Sequence, residues 1–192
     1  PTVSAGTDLT INCVQPTVDL QGSGTPANSN FLWTGPGISP ANQNLPMPTV
    51  NQAGTYILTV TNPANGCSQK DTTLVHAALT PPTVDAGADK TINCLITSVV
   101  LGGNGSSQGP GFQATWTGPG INPGNQNQFT PSVNQPGLYT LTITNSINGC
   151  TATDNVTIDI NTNIPTAEAG PDQALTCLNP NGVSLEGNGT PA

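Results

Sequence analysis

The residues of this chain best suited to chemistry are five cysteines, and their spacing is regular. Cys13 and Cys94 lie 81 positions apart; Cys67 and Cys150, and likewise Cys94 and Cys177, lie 83 apart. None sits in the close C-x-x-C spacing that zinc requires. Widely spaced cysteines in a chain with the composition of a secreted protein read instead as a disulfide framework. The expected pairs join cysteines of one period, Cys13–Cys67 and Cys94–Cys150, leaving Cys177 for a partner outside the sequence. Each would close a loop of about 55 residues and stabilise its period by about 4 kcal/mol in the chain-entropy model. The alternative joins each early cysteine to the late cysteine of the next period, as in Cys13–Cys150. Spacing does not choose between them. A simple β-sandwich places the end of its first strand and the start of its last at opposite ends, so within-period pairing needs a short or bulged first strand.

Other reactive groups are sparse. His76 is the sole histidine and falls on the outward face of a predicted strand, whereas a catalytic triad or acid–base pair needs a partnered base. Acids gather near the joints between periods: Asp85, Asp89, Asp159, Glu168 and Asp172. Hard oxygen ligands at such a joint are candidates for calcium. The first period carries Ser4 where the second has Asp85, and turn carboxylates also cap backbone amides. A glycosidase would need two acids facing each other across a cleft, which small repeated units with acids at their tips do not build. No enzyme and no cofactor beyond that calcium is expected. With two lysines, no arginine and a net charge of −8, the chain lacks the cations that neutralise nucleic-acid phosphates or hold anionic membrane surfaces. It shows no membrane-spanning apolar run and no secretory leader, and it reads as a processed or trimmed fragment.

The elements that position these residues repeat with them. Trp33-Thr34-Gly35-Pro36-Gly37-Ile38 recurs letter for letter at Trp116–Ile121, and Tyr56 recurs at Tyr139. A fixed period with matched aromatics, glycines and cysteines marks tandem domains: residues 1–81, 82–164, and a partial third over 165–192. Each opens on Pro-Thr and Ala-Gly-x-Asp. Strands are expected at Thr10–Cys13, Val18–Leu20, Phe31–Trp33 and Thr55–Thr61, with counterparts at Thr91–Cys94, Val99–Leu101, Ala114–Trp116 and Leu138–Thr144. In the third period Ala174–Cys177 and Val183–Leu185 would supply the first two. Tyr56, Leu58 and Val60 alternate with polar positions, as do Tyr139, Leu141 and Ile143, which fits one buried face. The last strand should turn Thr73, Val75 and Ala77 inward, against Val156, Ile158 and Ile160. Asn65-Gly66 and Asn148-Gly149 suit hairpin turns. No stretch has helical periodicity. Short strands and 22 glycines with 19 prolines favour an all-β chain of immunoglobulin-like sandwiches, with Trp33, Tyr56, Trp116 and Tyr139 in the cores.

Ala-Gly-x-Asp, Thr-Ile-Asn-Cys, Val-x-Leu-x-Gly, Trp-Thr-Gly-Pro-Gly, Gly-x-Tyr-x-Leu-Thr and Asn-Gly-Cys together resemble the PKD-like, immunoglobulin-type repeats of Bacteroidota cell-surface proteins, including gliding-motility adhesins. That resemblance implies an extracellular location, type IX secretion, and a structural or adhesive role in a stalk or filament. Further copies of the repeat are the expected partners, with self-association into a fibre. The alternative is a module that binds surface glycans through the polar turns Asn42-Gln43-Asn44 and Asn125-Gln126-Asn127.

Overall fold

The computed structural model describes residues 1–178 and 182–191. Among them there is no helix. In the first unit the strands are β1 (Thr2–Ser4), β2 (Leu9–Asn12), β3 (Val18–Asp19), β4 (Ser23–Thr25), β5 (Asn30–Thr34), β6 (Thr49–Val50), β7 (Gly54–Thr61) and β8 (Ser68–Ala78). One sheet runs β2-β8-β7-β5; facing it, β3 pairs with β6 and β1 with β4. The second unit repeats the arrangement, except for the β1–β4 pair, with β9 (Lys90–Asn93), β10 (Val99–Val100), β11 (Phe112–Thr117), β12 (Ser132–Val133), β13 (Gly137–Asn145) and β14 (Thr151–Asn161), giving β9-β14-β13-β11 and β10-β12. These are immunoglobulin-like sandwiches. Their alternating strands bury one face each, and the buried faces meet in two separate cores. Ile11, Leu20, Trp33, Tyr56, Leu58 and Val60 lead the first core; Ile92, Leu101, Trp116, Tyr139, Leu141 and Ile143 lead the second.

The repeated Trp-Thr-Gly-Pro-Gly is a packing device. A Cβ on Gly35 would lie 2.6 Å from the Tyr56 ring, and one on Gly118 would lie 2.5 Å from Tyr139, so only glycine admits the tyrosine. The Tyr56 hydroxyl then reaches the carbonyls of Pro36 (2.8 Å) and Gln52 (2.7 Å); Tyr139 does the same with Pro119 and Gln135. Burial raises the pKa of both phenols. Both tryptophans are fully buried, and neither indole N–H has a hydrogen-bond partner. The apolar area of the ring outweighs that unpaired donor.

The edge strand β2 decides the rest of the molecule. It pairs with β8 in parallel, Leu9 opposite Val75 and Asn12 opposite Ala78. β9 pairs with β14 in the same way, Lys90 opposite Ile158 and Asn93 opposite Asn161. The last strand therefore runs past its own core to reach the end of the first. That overrun corrects two expected core positions: Ala77 and Ile160 are exposed, lying beyond Val75 and Ile158, where the ladders to β7 and β13 end and only one neighbouring strand remains.

In the third segment β15 (Thr166–Glu168) pairs with β16 (Asn188–Thr190), as β1 pairs with β4. The strands expected at Ala174–Cys177 and Val183–Leu185 do not form, and Leu185 is exposed. Among the described residues no counterpart of β7 or β8 pairs with them or covers their apolar face.

Candidate functional site

The turn joining the two long strands has one construction in both units. In the first, Gly66 N–H donates to the Asn62 carbonyl (2.9 Å) and Cys67 N–H donates to the Asn65 side-chain oxygen (3.1 Å). In the second, Gly149 N–H donates to the Asn145 carbonyl (2.7 Å) and Cys150 N–H to the Asn148 side chain (3.0 Å). Gly66 and Gly149 have φ of 71° and 70°, a left-handed conformation that favours glycine. The Asn-Gly-Cys tripeptide is thus a hydrogen-bonded turn that places its cysteine at the start of the last strand.

The far end of the first unit carries a matching face. The Asn12 side-chain oxygen accepts from Val14 N–H (3.0 Å) and Gln15 N–H (2.7 Å), a side-chain-closed turn that fixes Cys13 at the tip of β2. The second unit's turn docks there. Cys13 N–H donates to the Asn148 carbonyl at 3.1 Å, and the Asn148 side-chain amide donates to the Thr80 carbonyl at 2.9 Å. The Cys150 sulfur lies 3.8 Å from the Ala78 carbonyl. Val14 covers Gly149 so closely that a Cβ on that glycine would run into it. Cys13 and Cys150 are joined in a disulfide with Cα atoms 5.0 Å apart and a sequence separation of 137. Asn148 and Cys150 are buried, while Asn65 and Cys67 are exposed.

This pairing corrects the within-period expectation. Cys67 immediately precedes β8 and Cys13 follows the residue opposite its last position. The length of that strand, about 35 Å at the usual rise, stands between them, whereas disulfide-bonded Cα atoms lie within about 7 Å. Parallel pairing of β9 with β14 separates Cys94 from Cys150 in the same way. Cys67, Cys94 and Cys177 are free thiols, all exposed.

No protein-family model matches this chain, and no curated protein matches it. Solved structures resemble its fold. Extracellular domains 3–5 of Drosophila OTK share 17% identity over 81% of this chain and 60% of theirs, with a TM-score of 0.42. Immunoglobulin domains 1–4 of Sidekick-1 share 13% over 89% of this chain and 54% of theirs, with a TM-score of 0.37. Titin domains Z1Z2, in a complex with telethonin, share 15% over 85% of this chain and 97% of theirs, with a TM-score of 0.32. Likeness at this level carries no inference about activity or partner.

The five joint carboxylates are not brought together. Asp85 accepts from Gly87 N–H (2.9 Å) and Gly105 N–H (3.0 Å), and Asp89 accepts from Thr157 N–H (2.7 Å). Asp159 lies on the exposed end of β14, opposite Thr91; Glu168 and Asp172 are exposed in the third segment. Among the described residues no three His, Cys, Asp or Glu side chains lie close enough to share a metal ion. His76 is exposed on β8. The polar turns are partly committed to the fold: Trp33 N–H donates to the Gln43 carbonyl and Trp116 N–H to that of Gln126, while Asn42 and Asn125 close their own turns.

Two carboxylates that the sequence reading passed over are structural. Asp71 accepts from Ala5 N–H at 2.8 Å, and Asp154 from Ala86 N–H at 2.8 Å, each tying the entry segment of a unit to its last strand. The Ala5 N–H, and after it that of Thr72, holds the Asp71 pKa below its ordinary value. Their 83-residue spacing, equal to that of the tyrosines, was the available signal. Asn148 was read only as a turn former; its second role, bonding a neighbouring unit, has no signature within one period.

Proposed function

We propose that this chain is a load-bearing extracellular repeat protein of the Bacteroidota surface type, with domains over 1–81 and 82–164 and a partial third over 165–192, and without catalytic activity. The observation that carries this reading is the Cys13–Cys150 bond laid across a fitted junction. Pulling on the two ends of the chain sends force through the covalent shortcut from Cys13 to Cys150. The intervening segment, which holds most of both hydrophobic cores, is excluded from extension; Ala5 and Ile11 of the first core and Val156 and Ile158 of the second lie outside the bond. At most about 3.4 Å per residue, a 137-residue separation removes roughly 470 Å of available length. A chain poor in charge and built of short joined sandwiches suits a stalk or filament. The disulfide suits an oxidising compartment outside the cytoplasm.

Single-molecule pulling between the termini tests the proposal. The oxidised chain should extend only through the residues outside the bond, and reduction should add an increment of roughly 470 Å. Equal extension before and after reduction would remove the load-bearing role. Micrographs of native material should show filaments with a domain-length repeat.

A further inference from the structure

The face that receives the second unit's turn exists twice in this molecule, and its second instance is open. Cys13, Val14, Ala78 and Thr80 contact the docked Asn-Gly-Cys turn, and Asn12 shapes the loop. Their counterparts by strand register are Cys94, Leu95, Asn161, Asn163 and Asn93. Those five residues line one open hollow of about 200 Å³. Asn93 repeats the side-chain-closed turn, accepting from Leu95 N–H (2.9 Å) and Ile96 N–H (2.8 Å), so the cysteine is presented in the same way. The groups that bind the turn in the first junction are mostly main-chain: the Cys13 N–H and the carbonyls of Ala78 and Thr80. Replacing Ala78 by Asn161 and Thr80 by Asn163 therefore leaves the donors and acceptors in place. Leu95 is 95% exposed, an apolar side chain where Val14 covers a glycine in the filled junction.

We propose that the Cys94 face is a docking site for the Asn-Gly-Cys turn of the next repeat in the same chain, closed by a disulfide to that repeat's late cysteine. The rule is general: the early cysteine of each unit bonds the late cysteine of the unit after it. Cys67 is by the same rule the plug for a preceding unit, which accounts for an exposed thiol on a turn built like that of Cys150. Formation of the bond joins the two sulfur atoms and breaks the S–S bond of a small-molecule disulfide oxidant; that oxidant takes the two electrons and, with the two protons, leaves as two thiols. The site rests on the junction geometry and is independent of whether the assembled chain bears load.

The test inserts a second copy of residues 82–164 between Ile164 and Pro165, with the copy's counterpart of Cys94 changed to Ser and that of the exposed Ile147 changed to Val as a mass tag, keeping the rest of the chain, and refolds it in mixed oxidised and reduced glutathione. Non-reducing peptide mapping should find Cys13–Cys150 intact, Cys94 bonded to the inserted counterpart of Cys150, and Cys67 free. With that counterpart changed to Ser, alkylation of Cys94 should be at least ~10-fold slower than in the 192-residue chain, because the docked turn still covers it. A free, fully reactive Cys94 beside an intact Cys13–Cys150 bond overturns the proposal. So does Cys94 bonded only between molecules. A chain that pairs as expected yet lengthens equally in both redox states would refute the load-bearing role alone.

Discussion

Two turns of identical sequence, Asn65-Gly66-Cys67 and Asn148-Gly149-Cys150, share their internal hydrogen bonds and their glycine conformation. One stands in solvent with a free thiol; the other is buried and cross-linked. Nothing within the turn distinguishes them. The difference lies in what faces each: the tip of β2 and the end of β8 face the second, and no described residue caps the first. Burial and reactivity at this site belong to the pair of units rather than to the residues.

Substitutions made in parallel at the two turns sharpen that contrast. The largest effect is expected for Cys150→Ser, which should cost about 5 kcal/mol of global stability through loss of a long covalent loop. Cys67→Ser should stay within about 0.5 kcal/mol. Urea denaturation monitored by tryptophan fluorescence measures both, and equal losses would erase the distinction.

Gly149→Ala should come next. Both glycines lose about 1 kcal/mol on acquiring a Cβ at positive φ. At Gly149 the new atom also meets Val14, adding about 1–2 kcal/mol of overpacking, whereas at Gly66 it meets open space. Asn148→Ala should cost about 2 kcal/mol, since it loses both the cap on Cys150 and the bond to Thr80. Asn65→Ala loses only the cap and should cost about 1 kcal/mol. Thermal midpoints of the four variants rank these effects.

Tyr56→Phe and Tyr139→Phe mark where the units should agree, at about 1 kcal/mol each, because both hydroxyls serve equivalent carbonyls away from the junction. The smallest effect is acid dependence. The Asp71 carboxyl has a folded pKa below its ordinary value, so its contribution is complete above about pH 4 and fades as pH falls through the lower folded value. Stability measured at pH 7 and pH 3 should fall less in Asp71→Asn than in the unaltered chain.

Much of each unit was legible in advance because its signals are local. Period-two alternation placed Tyr56, Leu58 and Val60 on one face, and all three are buried. The duplicated Trp-Thr-Gly-Pro-Gly located both tryptophans and, through Gly35 and Gly118, the tyrosines they pack beside. Alternation also assigned Ala77 and Ile160 inward, and there it failed, since it carries no information about where the neighbouring strand stops. The third segment shows the same limit: Ala174–Cys177 matches the β2 pattern but forms no strand, with no β8 counterpart beside it among the described residues.

The sequence by itself determined the repeat, the all-β character and most residues of both cores, since each depends on side-chain alternation and turn chemistry within a few positions. Only the tertiary structure decided which cysteines meet. The parallel pairing of β2 with β8 carries Cys13 a full strand length from Cys67 and sets it against the next unit's turn. A strand's pairing direction and its offset from a neighbouring unit are properties of assembled sheets, and period and composition do not encode them.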